Sequence, residues 1–262
     1  MESTQGVQPA LYIMGDVHGQ YERLSRLLHA NGLIDADQRW TGGEAHLWFI
    51  GDYFDRGPDG IACIELIMSL QEQAGEQVGA LVGNHDVMIL AADRFGSIPS
   101  PSTGITFFSD WLRNGGNIAD LDALDTIHID WLACLPAAAL VQDNLLLHAD
   151  ALFYTNYGLD IETLNQAIQK VMQHGTPAAF DQLLEVFSQR RAFIGQQGQV
   201  NLRGMLNMYG GKRLIHGHTP ISKVTGELAR SITMAHVYQD GACVNIDGGM
   251  YLGGPGFLYV AK

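Results

Sequence analysis

Short apolar runs alternate along the chain with longer amphipathic stretches, and the first three runs end in the same way. Ala10 to Met14 is apolar and stops at Gly15-Asp16-Val17-His18-Gly19; a helical pattern on Tyr21, Leu24, Leu27 and Leu28 follows and halts at Asn31-Gly32. Leu47 to Ile50 leads into Gly51-Asp52-Tyr53-Phe54-Asp55-Arg56-Gly57, and Ile61 to Leu70 predicts a second amphipathic helix. Val78 to Val82 ends in Gly83-Asn84-His85-Asp86, with an apolar helix starting at Val87. Each unit reads strand, loop, helix. Parallel strands joined by right-handed crossovers put all three strand ends on one sheet edge, where α/β proteins bind their ligands.

From Gly96 the pattern changes. Ser97 to Ser102 is a loop, and Ile105 to Leu112 and Leu121 to Leu135 predict helices, giving a helical insert over approximately 96–135 beside the strand ends. Ala138 to Val141 and Leu145 to Leu147 predict a hairpin that closes on His148-Ala149-Asp150. Asp160 to His174 and Ala178 to Arg191 predict polar helices, with Arg190 and Arg191 at the end of the second. Leu214-Ile215 is a short strand leading to His216-Gly217-His218-Thr219-Pro220, and Ala242 to Ile246 with Phe257 to Val260 close the chain in β structure. With no fixed-period repeat and no low-complexity linker, the expectation is one α/β domain over residues 1–262.

Composition narrows the classes. A hydrophobic fraction of 47% over 262 residues is ample for a buried core. No apolar run approaches the ~18–20 residues that span a bilayer, and the polar stretch Met1 to Pro9 lacks a basic-then-apolar leader, so the expectation is a cytoplasmic protein without a membrane partner. Cys63, Cys134 and Cys243 lie far apart in apolar surroundings and read as core thiols. A net charge of −13 with only 15 scattered Lys and Arg argues against a nucleic-acid partner. It leaves a phosphorylated substrate open, because bound cations would concentrate positive charge where a phosphate lands.

The strand ends carry the chemistry. Asp16 and His18, two apart in an extended backbone, point to the same side, which makes a shared metal sterically natural. Collected, the strand ends supply Asp16, His18, Asp52, Asn84, His148 and His218, oxygen and imidazole ligands without a thiolate. That set suits Mn²⁺, Fe or Zn²⁺ in a reactive site better than a structural zinc. Two ions ~3.5–4 Å apart need a shared ligand, for which Asp52 is the natural bridge. Taken alone, the stretch 51–57 reads equally well as an Asp-rich turn with Asp59 capping the next helix. Three successive strand ends with a glycine and a ligand decide for the site.

Gly-Asp-x-His-Gly, Gly-Asp-x-x-Asp-Arg-Gly and Gly-Asn-His-Asp, within 15–86, resemble the signature of the calcineurin-like metallophosphoesterases, in particular the phosphoprotein phosphatase branch and its bacterial-type serine/threonine phosphatases. His148 and Gly217-His218 fit that family's later histidine ligands. The resemblance implies a central β-sandwich flanked by helices and a metal-dependent phosphoric monoester hydrolase that uses a metal-bridging hydroxide. It implies two divalent ions, Mn²⁺ first and Fe or Zn²⁺ as alternatives, with Asp16, His18 and Asp52 on one and Asp52, Asn84, His148 and His218 on the other. Arg56 is then the phosphate contact, and His85, oriented by Asp55, the acid that protonates the leaving alkoxide. The residues alone agree, since an arginine fork suits a phosphate and Asp55 lies one loop from His85. Two positions depart from the pattern: Asp150 adds a carboxylate after His148, and Pro220 stands where other branches often have a histidine.

Other candidates carry bland alternatives. His216 reads as a strand-end neighbour more than a ligand, and His29, His46, His128, His174 and His236 have no matched partners. Arg203, assigned to substrate binding, and Arg191 could each help Arg56 on the phosphate or form surface ion pairs. Asp247 reads as a group behind the ligands or as an ordinary turn aspartate. The expected substrates are phosphorylated proteins or small phosphomonoesters. The alternatives are a diadenosine tetraphosphate hydrolase and, from another class, a non-catalytic metal- or phosphopeptide-binding scaffold, against which Asp55, Arg56 and His85 speak. The insert is the candidate wall of the site. It carries Asp110, Asp120, Asp122, Asp125 and Asp130, and its Phe107, Phe108 and Trp111 either cover substrate or face the core.

Overall fold

The strands read as unbroken apolar runs because both of their faces are covered. In the computed structural model, which describes residues 8–261, β1 (Leu11–Met14), α1 (Tyr21–Ala30), β2 (His46–Phe49), α2 (Gly60–Ala74) and β3 (Val78–Ala80) form the first strand-helix units. The N-terminal stretch read above as polar and leaderless lies, up to Val7, outside the described residues. β1 pairs in parallel with β2, and β2 with β3; β9 (Leu258–Ala261) returns antiparallel on β1, giving the order β3-β2-β1-β9.

After α3 (Asn84–Phe95), helices α4 (Phe107–Arg113), α5 (Ile118–Ala123) and α6 (Thr126–Cys134) precede the hairpin β4 (Ala138–Val141) and β5 (Asn144–Leu147). The single helix expected over Leu121 to Leu135 is broken because Asp125 turns its side chain onto the Ile127 and His128 amides, at 3.0 and 3.2 Å, and so starts α6. Helices α7 (Ile161–His174), α8 (Pro177–Phe187) and α9 (Gly195–Tyr209) lead to β6 (Arg213–His216), then α10 (Ile221–Thr225), β7 (His236–Tyr238) and β8 (Cys243–Asn245). α8 ends at Phe187, short of the expected Arg191, so Arg190 and Arg191 lie in the connection to α9. The second sheet has the order β4-β5-β6-β8-β7, with β5, β6 and β8 parallel and antiparallel strands at both edges.

The fold is α/β, two sheets packed face to face with helices outside. Leu11, Ile13, Ile50 and Leu81 from the first sheet meet Leu146, Ile215, Val244 and Ile246 from the second. Alternate residues face the other way: Leu145 and Leu147 join Leu47 and Phe49 in the larger core under the helices. Each such side chain, once fully buried, stabilises the sandwich by ~1.5–3 kcal/mol. Among the described residues no helix is long and apolar enough to cross a membrane.

Candidate metal centre and active site

Six parallel strands end at residues of interest: β1 before Asp16 and His18, β2 before Asp52, β3 before Asn84, β5 before His148, β6 before His218 and β8 before Asp247. The nitrogen and carboxylate atoms of His18, Asp52 and His85 lie within 4.8 Å of one another, as do those of Asp52, His148 and His218, so Asp52 belongs to both groups. Asp16 joins them from behind, its two oxygens accepting the His218 amide at 3.0 and 3.1 Å.

The backbone makes this crowding possible. His18, Asp52, Asp55, Arg56 and His218 all adopt left-handed φ values between 48° and 69°, conformations that cost energy in ordinary chain and concentrate at functional sites. Gly83 and Gly217 allow two of the close approaches, since a Cβ on the first would collide with Asp52 and on the second with Asp16. α3 begins at Asn84, earlier than its apolar pattern suggests, so the His85 amide in its first turn donates to Asp52 Oδ1 at 2.9 Å. Asp86, at the third position of the same helix, accepts the amides of Asp52 and Gly83 on Oδ2 and that of Tyr53 on Oδ1, all at 2.8–2.9 Å. One carboxylate thereby ties the β2 loop to the β3 loop.

The hydrogen bonds of the histidines fix which nitrogen is free. His18 Nδ1 lies 2.8 Å from the Phe54 carbonyl and His148 Nδ1 2.8 Å from the Ile50 carbonyl; a carbonyl only accepts, so both rings carry their proton on Nδ1. Burial keeps both neutral, His18 being pushed down to about 3. The remaining lone pair of His148 then faces other lone pairs, its Nε2 lying 3.1 Å from Asn84 Oδ1 and 3.3 Å from Asp52 Oδ1, while His18 Nε2 lies 3.5 Å from Asp52 Oδ2. His218 Nε2 and Asp247 Oδ2 are buried with no partner. Burial, then the charges of Asp247 and Asp52, pushes the Asp16 carboxyl up, and Asp247 itself is pushed up to about 7, chiefly by burial. Opposed acceptors and crowded buried carboxylates are the donor set that a divalent cation reconciles, so the residues fit a metal group.

Beside the cluster, His85 Nδ1 donates to Asp55 Oδ2 at 2.6 Å, and Asp55 Oδ1 accepts the indole Nε1 proton of Trp111 at 2.7 Å. Arg56 lies across the mouth, donating from one terminal nitrogen to His85 Nε2 at 2.8 Å and from the other to His18 Nε2 at 3.2 Å. Its backbone amide is held by the Gly115 carbonyl at 2.7 Å, and its guanidinium carbon sits 4.3 Å from the centre of the Tyr251 ring. Tyr251 in turn meets His18 edge-on at 4.8 Å.

A family model for calcineurin-like phosphoesterases matches residues 10–222. The chain belongs to that family. Over 144 residues it is 33% identical to a symmetrical bis(5'-nucleosyl)-tetraphosphatase of Bordetella parapertussis, a match covering 55% of this chain and 44% of that protein. Over 86 residues it is 34% identical to Shewanella-like protein phosphatase 2 of Arabidopsis thaliana, covering 32% of this chain and 22% of that one. Among solved structures, a cold-active protein tyrosine phosphatase superposes with a TM-score of 0.73 at 21% identity, covering 98% of this chain and 74% of its own. The chain thus spans less than half the length of the curated relatives it matches, and the structural likeness is one of fold.

Of the residues singled out in the sequence, the calcineurin-like fold brings Asp16, His18, Asp52, Asn84, His148 and His218 together, with Asp55, Arg56 and His85 at their side. Asp247 lies among them. His216 does not; its Nε2 bonds the Tyr238 hydroxyl at 2.7 Å on the far side of the strand end. Asp150 is buried and bound, accepting from the Thr219 hydroxyl at 2.6 Å and the Arg191 amide at 2.7 Å, so it locks the His218 loop to the α8–α9 connection. Asp59 occupies the cap position of α2 without a capping bond; Asp120 takes the Gly60 and Ile61 amides instead. Arg203 is exposed on α9, whose inward stripe is Gly198, Leu202, Met205 and Tyr209, and among the described residues no hydrogen bond or ion pair ties it to the cluster. Arg190, exposed in the α8–α9 connection with its Nε donating to the Ser188 carbonyl at 3.3 Å, adds a positive charge that acts to push His148, His218, Asp247 and Tyr251 down. Arg190, Tyr251 and Asp86 carry no assigned role in the sequence reading, and the contact of Trp111 with Asp55 is equally unannounced, because these contacts arise from chain segments far apart and no local spacing encodes them.

Proposed function

We propose that this chain is a divalent-metal-dependent phosphomonoester hydrolase of the phosphoprotein phosphatase type, with phosphorylated serine and threonine side chains as its leading substrates. The observation that carries the reading is the set Asp55–His85–Arg56 at the edge of the ligand cluster, since a site that only stored metal needs neither an oriented imidazole nor an arginine across its mouth. Asp16, His18 and Asp52 would hold one ion and Asp52, Asn84, His148 and His218 a second, with Mn²⁺ as the leading candidate. Such a pair, when bound, neutralises phosphoryl charge and makes a nearby water acidic enough to attack.

The chain's own residues supply the rest. Asp55 keeps the His85 proton on Nδ1 and aims Nε2 at the mouth. Protonated Nε2 and the Arg56 contact exclude each other, because both groups would be donors. A phosphate that draws the Arg56 fork onto its oxygens therefore frees Nε2 to take up a proton and deliver it to the leaving alkoxide. Arg190 adds a second cation on the His218 side, in the role the sequence reading gave to Arg203. Hydrolysis of p-nitrophenyl phosphate and of a phosphoserine peptide with Mn²⁺, abolished by a chelator, is the test; no phosphate release from either with any divalent metal would end the proposal.

A second reading, hydrolysis of dinucleoside tetraphosphates, is supported by the likeness to the Bordetella bis(5'-nucleosyl)-tetraphosphatase and by the positive charge of Arg190, which could meet a further phosphate. Comparison of kcat/KM for diadenosine tetraphosphate and the phosphopeptide decides between them.

A further inference from the structure

Between α3, α4 and α8 lies a cavity of about 270 Å³. Three links join it to the catalytic cluster. Met88, in its wall, is one helical turn beyond His85 on α3. Asn114 lines it and offers its carbonyl to Arg56 Nε at 3.4 Å. Ser188 lines it and accepts from Arg190 Nε at 3.3 Å. The cavity therefore shares its wall with the residues that hold the side chains of Arg56 and Arg190.

Its lining is divided. Met88, Phe107 and Leu184 form an apolar floor, while Asp110 on α4 and Asp181 and Glu185 on α8 supply carboxylates, and among the described residues no Lys, Arg or His lines it. Asp181 and Glu185 stand four residues apart on one helical face, a like-charge pairing that weakens a helix unless something positive meets it. Asp181 is pinned by Ser100 and Ser102, so its charge is fixed at the cavity wall. Arginine and lysine have the matching form, an apolar stem that covers hydrophobic surface and a cationic head that reaches carboxylates.

We infer that this cavity is a specificity subsite for a basic side chain next to the phosphorylated residue of a peptide substrate. The inference rests on the phosphatase reading and deepens it. A phosphopeptide would place its phosphate under Arg56 and its neighbouring cation against Asp110 and Glu185, an arrangement of opposite charges that fixes its register. The same carboxylates repel the additional phosphates of a dinucleotide.

The experiment compares, with Mn²⁺-loaded enzyme, a phosphoserine peptide bearing arginine at the two positions either side with the same peptide bearing alanine. The expected kcat/KM ratio is about three- to tenfold in favour of arginine and falls as KCl is added. In Asp110→Asn/Glu185→Gln the ratio drops towards one, and in Glu185→Gln alone, should the double variant fail to fold, it falls part of the way. A wild-type ratio near one overturns the inference, as does a ratio that survives both variants. Hydrolysis of p-nitrophenyl phosphate in the same preparations separates the two failures: if it too is absent, the phosphatase reading has failed; if it is present without the preference, only the subsite has.

Discussion

Trp111 donates its indole proton to Asp55 Oδ1 at 2.7 Å, so the helix inserted after β3 reaches the partner of the proposed acid directly. Trp111 is fully enclosed and leaves no ring face for substrate, which decides between the two roles open to it in the sequence. Trp111→Phe keeps the ring and removes the donor. An unpaired buried oxygen costs ~1–3 kcal/mol, so a calorimetric Tm should fall by several degrees. In addition, kcat should fall by about tenfold on a phosphoserine peptide, with the loss much smaller on p-nitrophenyl phosphate, whose leaving group needs less protonation. An equal loss on both substrates would reduce Trp111 to a packing residue.

His85 is the more direct case. His85→Asn removes the imidazole while the amide that meets Asp52 stays, so elemental analysis should find the wild-type metal content alongside a ~10²- to 10⁴-fold lower kcat. A loss of metal would make His85 a ligand instead, a possibility its place in the group with His18 and Asp52 makes worth measuring.

Asp86 holds three amides from the β2 and β3 loops and touches no substrate in this account. Asp86→Asn turns an NH₂ group towards at least one of those donors. Titration calorimetry should show metal affinity ~10- to 100-fold weaker, in the range for loss of a group that orients metal ligands. Unchanged affinity would mean that the two loops hold Asp52 in place unaided.

Arg190 and Arg203 provide a paired comparison. Arg190→Ala should lower kcat/KM for a phosphomonoester by about tenfold, as expected for losing one charge-assisted contact to phosphate, whereas Arg203→Ala should stay within about twofold of wild type. The reverse ranking would return Arg203 to the site.

Much of this arrangement is legible in the sequence, because parallel strands covered on both faces produce short unbroken apolar runs and the ligands follow them immediately. Asp16, Asp52 and Asn84 announce themselves in this way, and so does His148. Less legible is the helix Gly195–Tyr209: its glycines and glutamines weaken the pattern, although Gly198, Leu202, Met205 and Tyr209 form its buried stripe. The three-residue strand His236–Tyr238 is too short to carry a periodicity. Arg190 is misread because its segment continues a helical pattern, while the chain in fact leaves α8 at Phe187 and places the arginine in the connection to α9. The bond between Trp111 and Asp55 joins residues 56 positions apart, and nothing local in either stretch encodes it.

The central claim, a pair of divalent ions shared through Asp52 and used to hydrolyse phosphomonoesters, is tested most directly by adding Mn²⁺ to chelator-stripped protein while phosphate release from a phosphoserine peptide is followed. No release is expected without metal, and on titration the rate should rise and level off at two equivalents per chain. Release without metal, or a plateau at one equivalent, would contradict it.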